Sequence, residues 1–231
     1  MISQKDPKSK GIEGAFMEKS EMRKLAEFIE KLSWDDLPEE VKTTVSFRVL
    51  DLISAALGAV DDPLVKKVKA SYLERNNGTG GKIWGSEGET DISTAAYINA
   101  MLAHTLELDD VHPASKTHGS ASLIPAAWSC ARYVHASGKE FLTAVVCGYE
   151  TVSRIGMALG VTSHRKKGWH ATATCGGFGC AAACGKLLGL MAYLFPIVFF
   201  LESAFILINK TNRLAYKKLA AAFVMFLFLC G

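Results

Sequence analysis

The sequence contains no C-x-x-C pair and no H-E-x-x-H, which excludes the usual cysteine-borne and helix-borne zinc signatures. It also lacks an internal repeat and any run of short alternating segments, which argues against a core built from strands. An excess of one charge is missing too. Lys and Arg number 26 against 23 Asp and Glu, and the resulting +3 is too small and too scattered for a nucleic-acid footprint. The local basic runs Arg165-Lys166-Lys167 and Lys217-Lys218 read as solvated loops. The opening MISQKDPKSKGIEGAF has no apolar core of the kind a secretory signal needs, so residues 1–17 are expected to form a disordered tail. Six cysteines are present, and Cys175, Cys180 and Cys184 sit among Gly and Ala, where small buried thiols are common. A reducing, cytoplasmic setting fits them better than a disulfide framework. At 49% hydrophobic and 21% charged, the chain has the composition of a folded protein.

What is present is helical periodicity. Ser20 can cap a helix through Leu32 that carries Met22, Leu25, Ala26, Phe28 and Ile29 on one face. Pro38 followed by Glu39 and Glu40 is a helix start with acid in the first turn, and Val41, Val45, Val49, Leu52, Ile53 and Ala56 continue it to Gly58. A third helix is expected from Pro63 to Glu74, and a fourth opened by Thr90 or Asp91. Others are expected over 120–136, 139–159 and 174–190, with Pro125 early in the first of these. Between the third and fourth helices, Asn76-Asn77-Gly78-Thr79-Gly80-Gly81 is a turn, and Lys82-Ile83-Trp84 is expected to be extended. The architecture is all-α.

The chemistry is concentrated between His104 and Ser120. This segment holds Glu107, Asp109, Asp110, His104, His112, His118 and Lys116, at a helix end and in the loop beyond it. A carboxylate beside a histidine fixes its tautomer, and such a pair suits proton abstraction next to a carboxylate-bearing carbon. Lys116 and the helix start at Gly119-Ser120 can hold a substrate carboxylate. Metal ligation by His104, Glu107, Asp109, Asp110 and His112 is the rival chemistry; the spacing matches no zinc motif, and no metal is expected.

A second segment runs from Lys166 to Gly179. Gly177-x-Gly179-x-x-Ala182 imitates a dinucleotide fingerprint without the strand that should precede it. Gly179 to Lys186 imitates a phosphate loop with one residue too many and Leu187 where Ser or Thr belongs. The small residues over 176–185 instead let a helix approach a neighbour closely. His170 stands apart, between Trp169 and a Thr-rich entry into that helix.

Taken in order, these elements resemble the MmgE/PrpD family, which includes 2-methylcitrate dehydratase, cis-aconitate decarboxylase and iminodisuccinate epimerase. The resemblance rests on Ala26-Glu27-Phe28-Ile29, Leu37-Pro38-Glu39-Glu40-Val41 and Leu50-Asp51-Leu52-Ile53. It continues through Ile83-Trp84-Gly85, Ala95-Ala96-Tyr97-Ile98-Asn99-Ala100 and His104-Thr105-Leu106-Glu107-Leu108-Asp109-Asp110. It closes with His118-Gly119-Ser120 and Gly168-Trp169-His170 with the Gly/Ala helix, so that it covers about 18 to 190. The resemblance implies a helical domain completed by a smaller α/β lid, a homodimer, a small di- or tricarboxylate substrate, and no cofactor or metal. It matches the site histidines of the decarboxylase branch to His118 and His170; Glu107 stands where that branch has Asp, and Val111 where it has Thr. The Glu-Leu-Asp-Asp-x-His pattern is closer to epimerase-like members. The catalytic set expected on this basis is His118, His170, Asp109 and Asp110, with Glu107, His112 and Lys116 on the substrate side. His118 and His170 are expected to face one cleft.

The lid, with a Lys and a Tyr of the family, has no counterpart, because the resemblance stops at Leu190. Leu187 to Leu201 carries no charge, apolar character resumes after Glu202 to Ile208, and a second apolar run spans Leu219 to Cys230. Residues 191–231 are therefore expected to be a non-family tail from a shifted or read-through frame. The main functional expectation is a shortened lyase or isomerase domain. The other is an inactive helical module held at a membrane through 187–208. Because no strand presents the Gly-rich stretch to a phosphate, neither nicotinamide nor adenine nucleotides are predicted to bind; calorimetry should give no saturable micromolar isotherm with either.

Overall fold

The computed structural model describes residues 21–75 and 78–192. The Ser20 cap, the 1–17 tail, Asn76-Asn77 and the apolar sequence from Tyr193 onward lie outside the described residues. Within them are eight helices and no strand. They are α1 (Glu21–Lys31), α2 (Glu39–Gly58), α3 (Pro63–Leu73), α4 (Ile92–Thr105), α5 (Gly119–Tyr133), α6 (Gly138–Ala158), α7 (Val161–Lys166) and α8 (Ala171–Leu187).

Local chemistry accounts for the starts of α3, α4 and α6. The Asp62 carboxylate accepts from the Leu64 and Val65 amides with Pro63 behind it, and Asp91 accepts from Thr94. Ser137 and Glu140 close a reciprocal capping box on α6. The starts of α5 and α8 differ. Their N-cap residues, His118 and His170, make no side-chain cap bond.

The short α7 takes up Arg165 and Lys166, which the sequence pattern had left to a loop. Pro125 falls in the second turn of α5 because the helix begins at Gly119, so the Ala121 carbonyl lacks its usual helical donor. Lys82-Ile83-Trp84 forms no strand; the only pairing nearby is an isolated bridge between Gly81 and Thr90. The reason is Asn99 on α4. Its side chain accepts from the Trp84 amide at 2.8 Å and donates to the Lys82 carbonyl at 2.9 Å, which supplies the bonds a neighbouring strand would otherwise provide.

The core lies between α2, α4, α5, α6 and α8, around Leu52, Ile98, Leu123, Ile124, Val145 and Val152. A smaller cluster joins Ala26 and Ile29 of α1 to Cys147, Phe178, Ala181 and Ala182. Helices α6 and α8 touch backbone to backbone. A methyl on Gly148 would stand 3.1 Å from the Gly179 carbonyl oxygen, and one on Gly179 would stand 3.1 Å from the Gly148 oxygen and from Val152 Cβ. The stretch that imitates a nucleotide loop is thus a helix-packing surface. Among the described residues no single helix is long and apolar enough to cross a membrane.

Two predictions follow from this packing. Gly148→Ala and Gly179→Ala should each lower stability in urea unfolding, because overpacking costs about 1–3 kcal/mol and outweighs the roughly 1 kcal/mol that Ala adds to a helix. The second concerns pH. Burial pushes the Cys147 thiol up to about 12 and the Cys175 thiol up to about 11. Both folded values lie above the unfolded one of about 8.5, so the native state holds these protons longer. Their contribution to stability is complete below that unfolded value and is lost as pH rises through it toward the folded values. The urea midpoint should fall above about pH 9, and thiol reagents should label both cysteines only on unfolding.

Candidate active site

The last turn of α4 carries His104, and the chain then leaves the helix through Glu107, whose φ of +53° turns the loop back on itself. That turn drives Asp109 inward until its side chain has no exposed surface. Each carboxylate oxygen there meets one imidazole. Oδ1 lies 2.9 Å from His104 Nδ1, and Oδ2 lies 3.1 Å from His118 Nδ1. The two rings meet edge to face with centroids 5.0 Å apart. An ionised carboxylate only accepts, so both rings present Nδ1–H to it and keep Nε2 as the basic atom. His118 is buried more deeply than His104, with 19% of its side chain exposed against 33%. His104 Nε2 lies 3.7 Å from the exposed Glu107 carboxylate.

Asp110 has a different task. Its Oδ1 accepts from the Ser120 amide at 3.1 Å and the Ser120 hydroxyl at 2.6 Å, which caps α5 in place of the His118 side chain. Its Oδ2 accepts from the Tyr149 hydroxyl at 2.7 Å and Arg48 at 2.6 Å. Burial, reinforced by the Asp110 charge, holds the Tyr149 phenol protonated well above its ordinary range. The start of α5, which the sequence offered to a substrate carboxylate, is therefore occupied from within. A carboxylate tethered ten residues away and already in place excludes an incoming anion from Ser120.

The loop between the two aspartates and α5 is held by its own hydroxyls. His112 Nδ1 pairs with Ser115 Oγ at 2.8 Å, and Ser115 Oγ with Thr117 Oγ1 at 2.6 Å; both hydroxyl residues are fully buried. Gly156 of α6 makes room for them, since a methyl there would stand 2.6 Å from Ser115 Cβ. Lys116 sits on the exposed crest of this loop with φ +53°.

His170 is exposed at the start of α8. The His118 amide donates to Thr172 Oγ1 at 3.0 Å, so the start of α5 is bonded to the first turn of α8, two residues beyond His170. The entry to α8 is braced by His164, which stacks on Trp169 at 5.8 Å and pairs with Thr174 Oγ1 at 3.1 Å.

The fold thus gathers Asp109, Asp110 and His118 with the first turn of α8. It turns His112 into its own loop and leaves Glu107 and Lys116 exposed. His104, one of the histidines of the 104–120 segment and singled out from the pattern only as a metal ligand, shares the Asp109 carboxylate with His118. Its signal was available: a histidine closing a helix, followed five residues later by an aspartate. Among the described residues, His104, Asp109 and His118 are the one group whose donor atoms, all within 4.8 Å, can hold a metal ion. Glu107, Asp110 and His112 do not join it.

Comparison with known proteins gives this geometry a context. A family model described as the MmgE/PrpD N-terminal domain matches residues 23–194. A cis-aconitate decarboxylase-like protein of Aspergillus oryzae is 29% identical over 173 residues, 72% of this chain and 36% of the relative. The cis-aconitate decarboxylase of Aspergillus terreus is 27% identical over 69% of this chain and 34% of its own length. The human cis-aconitate decarboxylase is 32% identical over 45% of this chain and 23% of its own length. The chain therefore spans about a quarter to a third of the length of the curated relatives it matches.

Proposed function

Because the chain belongs to the MmgE/PrpD family, we propose that it carries the imidazole–carboxylate part of a lyase or isomerase site acting by proton transfer on a small di- or tricarboxylate. The observation that supports this reading best is the buried Asp109 bonded to His118. A histidine with Nδ1–H held by a carboxylate has its Nε2 free to take a proton from carbon next to a carboxylate, or to return one after loss of carbon dioxide or water. The names of the relatives, cis-aconitate decarboxylases, support the substrate class.

In this reading His118 is the proton carrier and Asp109 orients it. His170, exposed two residues before Thr172, is the second imidazole of this reading. Asp110 acts through α5: it pins the helix start that carries His118, and the Tyr149 hydroxyl and Arg48 hold Asp110 in turn. Glu107, His112 and Lys116 belong to the loop that borders the substrate, and Lys116 supplies the one cation among the three. Parts of a relative that lie beyond this domain complete the enclosure of the substrate.

The test is solvent deuterium incorporation into citrate-like and aconitate-like acids, followed by NMR. In a complete relative carrying the same residues, His118→Ala should lower kcat by roughly 10²-fold or more, the usual scale for a general acid–base group. The melting temperature should move little by comparison. A large loss of stability with unchanged kcat would assign His118 to structure and end this reading.

A further inference from the structure

We propose that His104 is a positioning residue for His118, acting through the carboxylate the two rings share. The proposal rests on the proton-transfer reading above and extends it to a residue which that reading does not use.

Asp109 has no exposed side-chain surface, and its side-chain hydrogen bonds among the described residues are those to the two imidazoles, one per oxygen. A carboxylate held at one oxygen only can turn about its Cβ–Cγ bond; held at both, it cannot. His104 also meets a need of Oδ1 itself, since a buried carboxylate oxygen without a donor is costly. With Oδ1 engaged at 2.9 Å, Oδ2 is left aimed at His118 Nδ1. The second constraint is steric. The His104 ring lies edge-on to the His118 ring, 5.0 Å away at 65°, and limits how that ring can swing. His104 is itself held by α4, whose last turn carries it, so the rigidity of a core helix reaches His118 across a loop.

Two substitutions separate the donor from the rest of the ring. The amide nitrogen of Asn occupies about the place of His Nδ1, so His104→Asn keeps a donor for Asp109 Oδ1 and removes Nε2. His104→Ala removes both. The readout is the long-range proton–nitrogen NMR pattern of ¹⁵N-labelled imidazoles in the full chain at a pH where the rings are neutral, with His118 assigned by His118→Gln. The wild-type chain should give the Nδ1–H tautomer for His118, and His104→Asn should keep it. His104→Ala should replace it by averaged tautomers while the melting curve stays cooperative. His104→Gln, which keeps the bulk but carries its amide one methylene farther out, should behave as His104→Ala, and it decides the matter if the alanine variant does not fold. An unchanged Nδ1–H pattern in the alanine or glutamine variant would overturn the proposal, as would its loss in the asparagine variant. The measurement needs no turnover. Failure of the wild-type chain to exchange substrate protons would therefore count against the proposed function and leave this result standing.

Discussion

A buried carboxylate is stable only when its oxygens find donors, and Asp109 finds both of its donors in imidazole rings. That requirement organises the site. One ring comes from the end of α4 and the other from the residue before α5, so satisfying Asp109 also sets the distance and angle between two helix ends. The loop that joins them has to turn sharply. It does so at Glu107 and Lys116, both in the left-handed region, where a residue other than glycine is held only by its surroundings.

Those surroundings are supplied by α6 and α2. Tyr149 and Arg48 reach Asp110 from the side, while Gly156 admits the Ser115–Thr117 hydroxyl pair from below. The close α6–α8 contact at Gly148 and Gly179 matters for the same reason, because α8 brings Thr172 to the His118 amide. The small residues of α8 thus act on the start of α5 at one remove. They let the helix come close enough for its first turn to bond to the start of α5.

Neighbouring aspartates divide the work by environment. Asp109 faces imidazoles, which can gain and lose protons, whereas Asp110 faces a phenol kept protonated by burial, a guanidinium and a helix start. Reversing the two residues in space would leave a helix start capped by a group tied to two imidazoles. The chain itself covers about a third of its Aspergillus relatives, and this division of labour is contained within that third.

The helical class, the cap at Asp91 and the approximate helix limits could be read from the chain, because each depends on neighbours within four residues. So could the concentration of acid–base residues between His104 and Ser120. What could not be read was the pairing within that concentration. Asp109 and Asp110 are adjacent and chemically identical in sequence. Their separation into an inward carboxylate and a helix anchor depends on Tyr149, Arg48 and Ser120, which lie 39, 62 and 10 residues away from Asp110. Likewise Asn99 replaced a strand partner for Lys82 and Trp84, and His112 was drawn into its own loop by Ser115. Local periodicity determined the helices, since a helix closes its own hydrogen bonds. Only the packed fold determined which acid meets which base, since those bonds span elements whose relative placement no local pattern encodes.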